Sequence, residues 1–322
     1  MILVTGGAGF IGSVLVSELN RIGETDIVIV DRLEKSVKWK NLRDLKYREY
    51  IHADELFSGD YDDLISETDI IYHMGACSST TEIDMDFLMK NNVQYSKALF
   101  QFAATKNVPI IYASSAATYG DGELGYEDNE DELHKLRPLN PYGYSKQLFD
   151  EWVLRESTAK PDHWFGLKFF NVFGPNEYHK EEMRSLVHKA YGQIKETGKV
   201  KLFKSHKEGF KDGEQLRDFI YVKDVIRVMI ELSYTDKAQF SGIYNLGTGK
   251  ARSFKDLVLA TYKAMGKNPE IEYIDMPLSI RNQYQYFTEA NTEKLLSAIP
   301  GFEFTNLETA VLDYVTNHLT KE

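Results

Sequence analysis

Thr5-Gly6-Gly7-Ala8-Gly9-Phe10-Ile11-Gly12 follows the short apolar run Met1–Thr5 and opens a helically spaced stretch, Ile11–Leu19. The segment satisfies both Gly7-x-Gly9-x-x-Gly12 and Gly6-x-x-Gly9-x-x-Gly12. Glycine at such positions lets the chain turn tightly, lets the backbone approach a pyrophosphate, and lets the helix sit close to its strand. The helix start then offers free N–H groups and a positive dipole end to the phosphates. Alone the spacing also fits an ordinary strand-to-helix turn. Its place between a strand and a helix makes it a dinucleotide loop.

Outward from this loop, Ile27–Val30, Asp69–Met74, Pro109–Ala113 and Phe165–Val172 are apolar runs, and a helical pattern lies around Val93–Thr105. Such runs, each ended by small or polar residues, read as parallel strands buried on both faces. Strands alternating with helices predict an α/β fold of the Rossmann type, a doubly wound parallel sheet, with a smaller mixed α/β substrate lobe. We expect a nucleotide domain over residues 1–170, with the chain returning to it near 217–247, and a substrate lobe over 171–322. Further elements are expected as strands at Val200–Phe203, Arg217–Val222 and Ile243–Leu246 and a helix at Val225–Tyr234. Ser253 is expected to cap another helix, with Asp256 three residues on.

The 322 residues are 43% hydrophobic, enough for a sizeable core. A net charge of −11 with no long basic run argues against nucleic acid or an acidic membrane surface as partner. A single cysteine, Cys77, gives neither an internal disulfide nor a zinc site. No basic leader with a cleavage site and no stretch of about 18 apolar residues is readable, so a cytoplasmic protein with a small-molecule substrate and no metal is expected.

Asp31 ends the second apolar run, where a carboxylate commonly bonds an adenosine ribose hydroxyl and so favours NAD. Arg32, Lys35, Lys38 and Lys40 follow, and such cations suit a 2′-phosphate. They tip the reading to NADP, with NAD as the alternative.

Asn140-Pro141-Tyr142-Gly143-Tyr144-Ser145-Lys146 reads as a helix start, Asn140 capping and Pro141 in the first turn. Tyr142 and Lys146 are four apart and share a face with Phe149 and Val153, so the pair faces inward. Free tyrosine titrates near 10. A neighbouring ammonium favours phenolate, so Lys146 is expected to make Tyr142 acidic enough to act as a base. Ser114 and Ser115 stand at the C-terminal tip of a strand, where ligands of such sheets bind.

The glycine loop, Ser114-Ser115 and Tyr142…Lys146 together resemble the extended short-chain dehydrogenase/reductase superfamily in its nucleotide-sugar-modifying branch. Phe169-Phe170-Asn171-Val172-Phe173-Gly174-Pro175 resembles that branch's strand and loop leading to the sugar site. Three further stretches narrow the likeness. Gly75–Glu82, Asn91-Asn92-x-Gln94-Tyr95-Ser96-Lys97 and His179-Lys180 are similar to the ADP-glyceromanno-heptose 6-epimerase family.

The resemblance implies that Tyr142 and Lys180 are two acid/base groups, that Ser115 polarises the reacting oxygen, and that Lys146 holds the nicotinamide ribose. It implies cofactor contacts at Gly6, Gly9, Phe10, Ile11, Gly12, Asp31, Arg32, Lys38, Met74, Gly75, Ala76, Cys77, Ser78, Asn91, Lys146, Val172 and Lys180. Substrate contacts are implied at Ser115, Asn171, Glu182, Lys189 or the adjacent His188, Phe203, Lys204, Ser205, His206, Arg217 and Tyr284. The chain departs from the pattern at Ala53, where a lysine can touch cofactor, and at Glu181-Glu182, where small residues are usual. The implied reaction inverts C6″ of an ADP-heptose by removing and returning hydride, for lipopolysaccharide heptose supply, in a homo-oligomer, pentameric by resemblance. A sugar-nucleotide 4-epimerase, a 4,6-dehydratase and a catalytically silent NADP-binding protein are the alternatives. Ala116-Ala117 stands where a dehydratase would carry Asp-Glu.

Overall fold

The computed structural model describes residues 1–235, 238–281 and 284–321. Seven parallel strands form the main sheet: β1 (Ile2–Thr5), β2 (Ile27–Asp31), β3 (Glu49–His52), β4 (Ile70–His73), β5 (Ile110–Ser115), β6 (Trp164–Phe169) and, later in the chain, Gly242–Leu246. Between them in sequence come β7 (Asn171–Phe173), β8 (Val200–Phe203) and β9 (Leu216–Tyr221). Gly242–Leu246 is therefore β10, followed by β11 (Ala251–Ser253) and β12 (Ile271–Ile274). The order across the main sheet is β10-β6-β5-β4-β1-β2-β3, so the direction of winding reverses between β1 and β4. Ligands of such sheets bind beyond the C-terminal strand ends at that point.

The pleat sorts the apolar runs between two cores. Ile27 and Ile29 enter one, and Val28 and Val30 the other, as alternation along a strand requires. Helices Phe10–Arg21 and Val222–Ser233 and the C-terminal helix Leu307–Tyr314 pack in the first core. Helices Tyr95–Lys106 and Pro141–Leu154 pack in the second. Among the described residues no helix is long and apolar enough to cross a membrane.

Three features differ from the sequence reading. The run Phe165–Val172 is not one strand. Phe170 donates to the Leu246 carbonyl (3.1 Å) and Val172 turns back to the Phe170 carbonyl (3.0 Å). That three-residue turn, of a kind common at strand ends, sends β7 into a separate sheet of order β11-β9-β7. β9 joins this small sheet too, and within the stretch 217–247 the strand that enters the main sheet is β10. β3 escapes the reading because it is a half-solvated edge strand with only Ile51 buried. The helix expected around Val93 starts at Met85 and continues to Lys106 through a π-type stretch, Met89–Gln94.

Candidate active site

A cleft of about 1230 Å³ opens over the C-terminal ends of β1, β2, β4 and β5. Its floor is the glycine loop. Gly6 has φ +68°, and a Cβ built on it would lie 2.6 Å from the Gly75 nitrogen. A Cβ on Gly12 would lie 2.2 Å from the Gly6 carbonyl oxygen. The loop therefore accepts no side chain at either place, and the helix Phe10–Arg21 starts at Gly9 with no side-chain cap. Uncapped N–H groups over a side-chain-free cradle fit a pyrophosphate. Thr5 closes the far side: its Oγ1 accepts from the Gly75 N–H (3.1 Å) and pairs with His73 (2.6 Å). His73 also bonds Ser96 (2.8 Å), and burial pushes its imidazole down to about 3. It is a packing residue.

At the end of β2, Asp31 is buried and accepts from the Ala8 N–H (2.9 Å), the Arg32 N–H (2.7 Å) and Lys38 (2.8 Å). Arg32 pairs with Asp54 at 2.6 Å and does not line the cleft. Of the four cations expected to suit a 2′-phosphate, Arg32 and Lys38 are thus matched by carboxylates here. Phe10, Ile11, Met74–Ser78 and Val172 line the cleft as expected. Asn91 does not; its amide turns back to the Phe87 carbonyl (2.9 Å). Its neighbour Asn92 has the larger role. It accepts from the Cys77 N–H (2.9 Å), donates to the Cys77 carbonyl (2.9 Å) and donates to Ser145 (3.0 Å). The π-type stretch aims it at the loop after β4, and no spacing in the sequence signals that choice between two adjacent asparagines.

The helix Pro141–Leu154 is capped by Asn140, whose Oδ1 accepts from the Gly143 N–H (2.8 Å). Tyr142, Lys146, Phe149 and Val153 are all buried along one stripe. Tyr142 shares a hydrogen bond with Ser115, and Lys146 Nζ donates to the Ala113 carbonyl (3.0 Å). Ser115 also accepts from the Ala117 N–H (3.1 Å). The expected acidic phenol is corrected. Burial raises Tyr142 above its ordinary value, and the Ser115 bond only partly offsets this. Burial also pushes Lys146 down to about 8, against the attraction of Asp150. Desolvation disfavours both charged forms and outweighs the pairwise attraction that the sequence suggests.

Beneath this set lies a network that sequence reasoning missed. Asp150 and Lys168 are 1% and 0% exposed and pair at 2.8 Å. Asp150 also accepts from Ser114 (2.6 Å), and Lys168 donates to Thr118 (2.7 Å). The signal was present: Asp150 is four residues after Lys146, on the same buried stripe.

Lys180 lies on the short turn Tyr178–Met183 and lines the cleft, its Nζ 5.6 Å from the centre of the Phe10 ring. His179 beside it has a buried Nδ1 without a partner, and burial pushes it down to about 4. Of the expected substrate contacts, Asn171, Lys189, Phe203 and Tyr284 line the cleft. Arg217 is buried behind them, donating to the Leu216 and Gln285 carbonyls and lying 5.1 Å from the Tyr284 ring centre. Four expected contacts lie elsewhere. The Glu182 side chain is 93% exposed and pairs with Lys189. Lys204 pairs with Asp275. Ser205 and His206 form a turn, with their N–H groups on Asp212 (2.8 Å) and Tyr286 (3.0 Å). None of these four residues lines the cleft.

A sequence model of the NAD dependent epimerase/dehydratase family matches residues 2–247. An ADP-L-glycero-D-manno-heptose-6-epimerase of Fusobacterium nucleatum is 53% identical over 100% of this chain and 99% of its own. The crystal structure of the Helicobacter pylori ADP-L-glycero-D-manno-heptose-6-epimerase superposes with a TM-score of 0.82 at 33% identity, covering 98% of this chain and 95% of that one. A Bacillus cereus UDP-glucuronic acid 4-epimerase, solved with UDP-glucuronic acid and NAD, has a TM-score of 0.79 at 25% identity, covering 98% of this chain and 99% of that one. The fold, the glycine cradle and this likeness agree: the chain belongs to the NAD dependent epimerase/dehydratase family.

Proposed function

We propose that this protein inverts C6″ of ADP-D-glycero-β-D-manno-heptose to give the L-glycero epimer. The reading rests above all on the placement of a buried Ser115–Tyr142–Lys146 set and a second proton-carrying group, Lys180, on one cleft with a dinucleotide cradle. The full-length likeness to proteins named for this reaction supports the choice of sugar. C6″ is a carbinol carbon and not acidic, so a base alone cannot invert it. A bound nicotinamide dinucleotide supplies a hydride acceptor that can give the hydride back. Ser115 holds the reacting oxygen. Tyr142 and Lys180 take and return the hydroxyl proton for the two epimers. Such acid–base help is worth about 10²–10⁴-fold. C6″ lies outside the pyranose ring, so the transient ketone can turn its other face without releasing the nucleotide.

NADP is the cofactor we favour. Arg32 and Lys38 at the β2 end support this once a 2′-phosphate displaces Asp54 and Asp31 from them. We place the enzyme in the cytoplasm as a homo-oligomer, pentameric by resemblance, supplying heptose for lipopolysaccharide. The test is a turnover screen with ADP-, GDP-, UDP- and dTDP-linked sugars. Conversion confined to the ADP-heptose epimers is expected. Inversion of a hexose at C4 instead would overturn the reading.

A further inference from the structure

We propose that Glu177 is a positioning residue for Lys180: its buried carboxylate closes the loop that carries the lysine and supplies the negative charge that favours the ammonium form. The inference rests on the reading of Lys180 as an acid/base group.

Glu177 is 1% exposed. Its carboxylate accepts from the Ser185 N–H (2.6 Å) and Ser185 Oγ (2.5 Å), tying together the two ends of the segment 177–185. Ser185 in turn caps the helix Leu186–Thr197. A third donor, the Tyr314 hydroxyl (3.0 Å), comes from the C-terminal helix, outside the stretch that the family model covers. Within the segment, the Lys180 N–H donates to the Glu177 carbonyl (2.9 Å). Glu181 takes φ +47°, ψ −118°, a backbone that non-glycine residues rarely adopt and that surrounding structure must enforce.

Lys180 lies over the Phe10 ring and in no ion pair among the described residues. His179 on the same turn is held neutral by burial and by Lys180 and Lys38. Asp31 is held by its own pair with Lys38, and His188 faces Glu177 from the next helix. Glu181 and Glu182 on the same turn and Glu34 on the cleft wall are exposed to solvent, which leaves Glu177 as the buried carboxylate that favours the ammonium. Consistent with this, burial pushes Lys180 down while Glu177 pulls it up.

Glu177→Gln keeps the size and the Ser185 N–H bond, which the amide oxygen accepts; its NH₂ can donate to the Ser185 and Tyr314 hydroxyls, reversing those two bonds, and the negative charge is lost. The measurement is competitive acetylation of Lys180 against pH in the nucleotide-bound enzyme, read by mass spectrometry. We expect the midpoint to fall by about one pH unit, a tenfold loss of proton affinity, with kcat reduced, KM little changed and the Lys180 limb of the pH profile moved to lower pH. Glu177→Asp, which keeps the charge, should restore most of the midpoint. An unmoved midpoint in Glu177→Gln overturns the proposal, whatever turnover does. A moved midpoint with unaltered turnover supports the role of Glu177 and defeats that of Lys180 in the reaction. Should Glu177→Gln not fold, Lys180→Met is the reciprocal probe. Coupling is mutual, so the ¹³C-carboxyl resonance of Glu177 should titrate at higher pH by the same interval, and an unchanged titration overturns the proposal.

Discussion

Replacing Lys146 by methionine should remove a pH-dependent instability that the site carries for its chemistry. Burial lowers the amine from 10.5 in the unfolded chain to about 8 in the fold. That difference of 2.5, at 1.36 kcal/mol each, is about 3.4 kcal/mol of penalty on the folded ammonium. Below pH 8 both states hold the proton and the penalty is fully present. Between pH 8 and 10.5 the folded state has lost the proton and the unfolded state keeps it, so wild-type stability rises with pH. Lys146→Met has no such group. Urea unfolding of both proteins, stripped of nucleotide, at a series of pH values gives the difference curve, in which other titrating groups cancel. Wild type should gain about 2.5 kcal/mol on the variant between pH 7 and 10. A flat curve, or one of opposite slope, would show that Lys146 is not desolvated as described, and the account of the buried pair would fail with it. The variant should also lose turnover steeply, a cost to function commonly paired with relief of a strained site.

Tyr142→Phe should keep the fold and lower turnover by about 10²–10⁴-fold; a melting curve beside the assay checks both, and near-normal turnover would remove the phenol from the mechanism. Gly12→Ala places a methyl 2.2 Å from the Gly6 carbonyl oxygen, so the purified variant should carry no nucleotide, and full occupancy by absorbance would contradict the cradle. Asp150→Ala strands Lys168 at 0% exposure and should cost about 3–5 kcal/mol, while Asp150→Leu with Lys168→Met should recover most of it; equal losses in the single and double variants would refute the pairing. Nucleotide released on denaturation should have the mass of NADP, and NAD alone would mean that Arg32 and Lys38 stay with Asp54 and Asp31.

What the sequence revealed and what it hid follow from the range of the interactions. β2 was legible because Ile27–Val30 is buried on both faces, and the inward stripe of Tyr142, Lys146, Phe149 and Val153 because helical spacing fixes a face. β3 was not, since an edge strand needs no apolar run. The direction of the Tyr142 shift was misread because a sequence shows which charges are near and not how much water is removed. The contact of Glu177 with Tyr314 joins distant segments and no local pattern announces it; helical spacing could place Asp150 on the buried stripe, but nothing local names Lys168 as its partner. Lys204, Ser205 and His206 were placed on the cleft because their seats depend on Asp275, Asp212 and Tyr286, partners that no spacing in the sequence signals.

The central claim is that hydride leaves C6″ and returns to the same carbon. It is tested most directly by converting ADP-D-glycero-β-D-manno-heptose in deuterium oxide and examining the product by proton NMR. The account predicts formation of the L-glycero epimer with its C6″ hydrogen retained. Deuterium at C6″, or no epimer while nucleotide is bound, would contradict it.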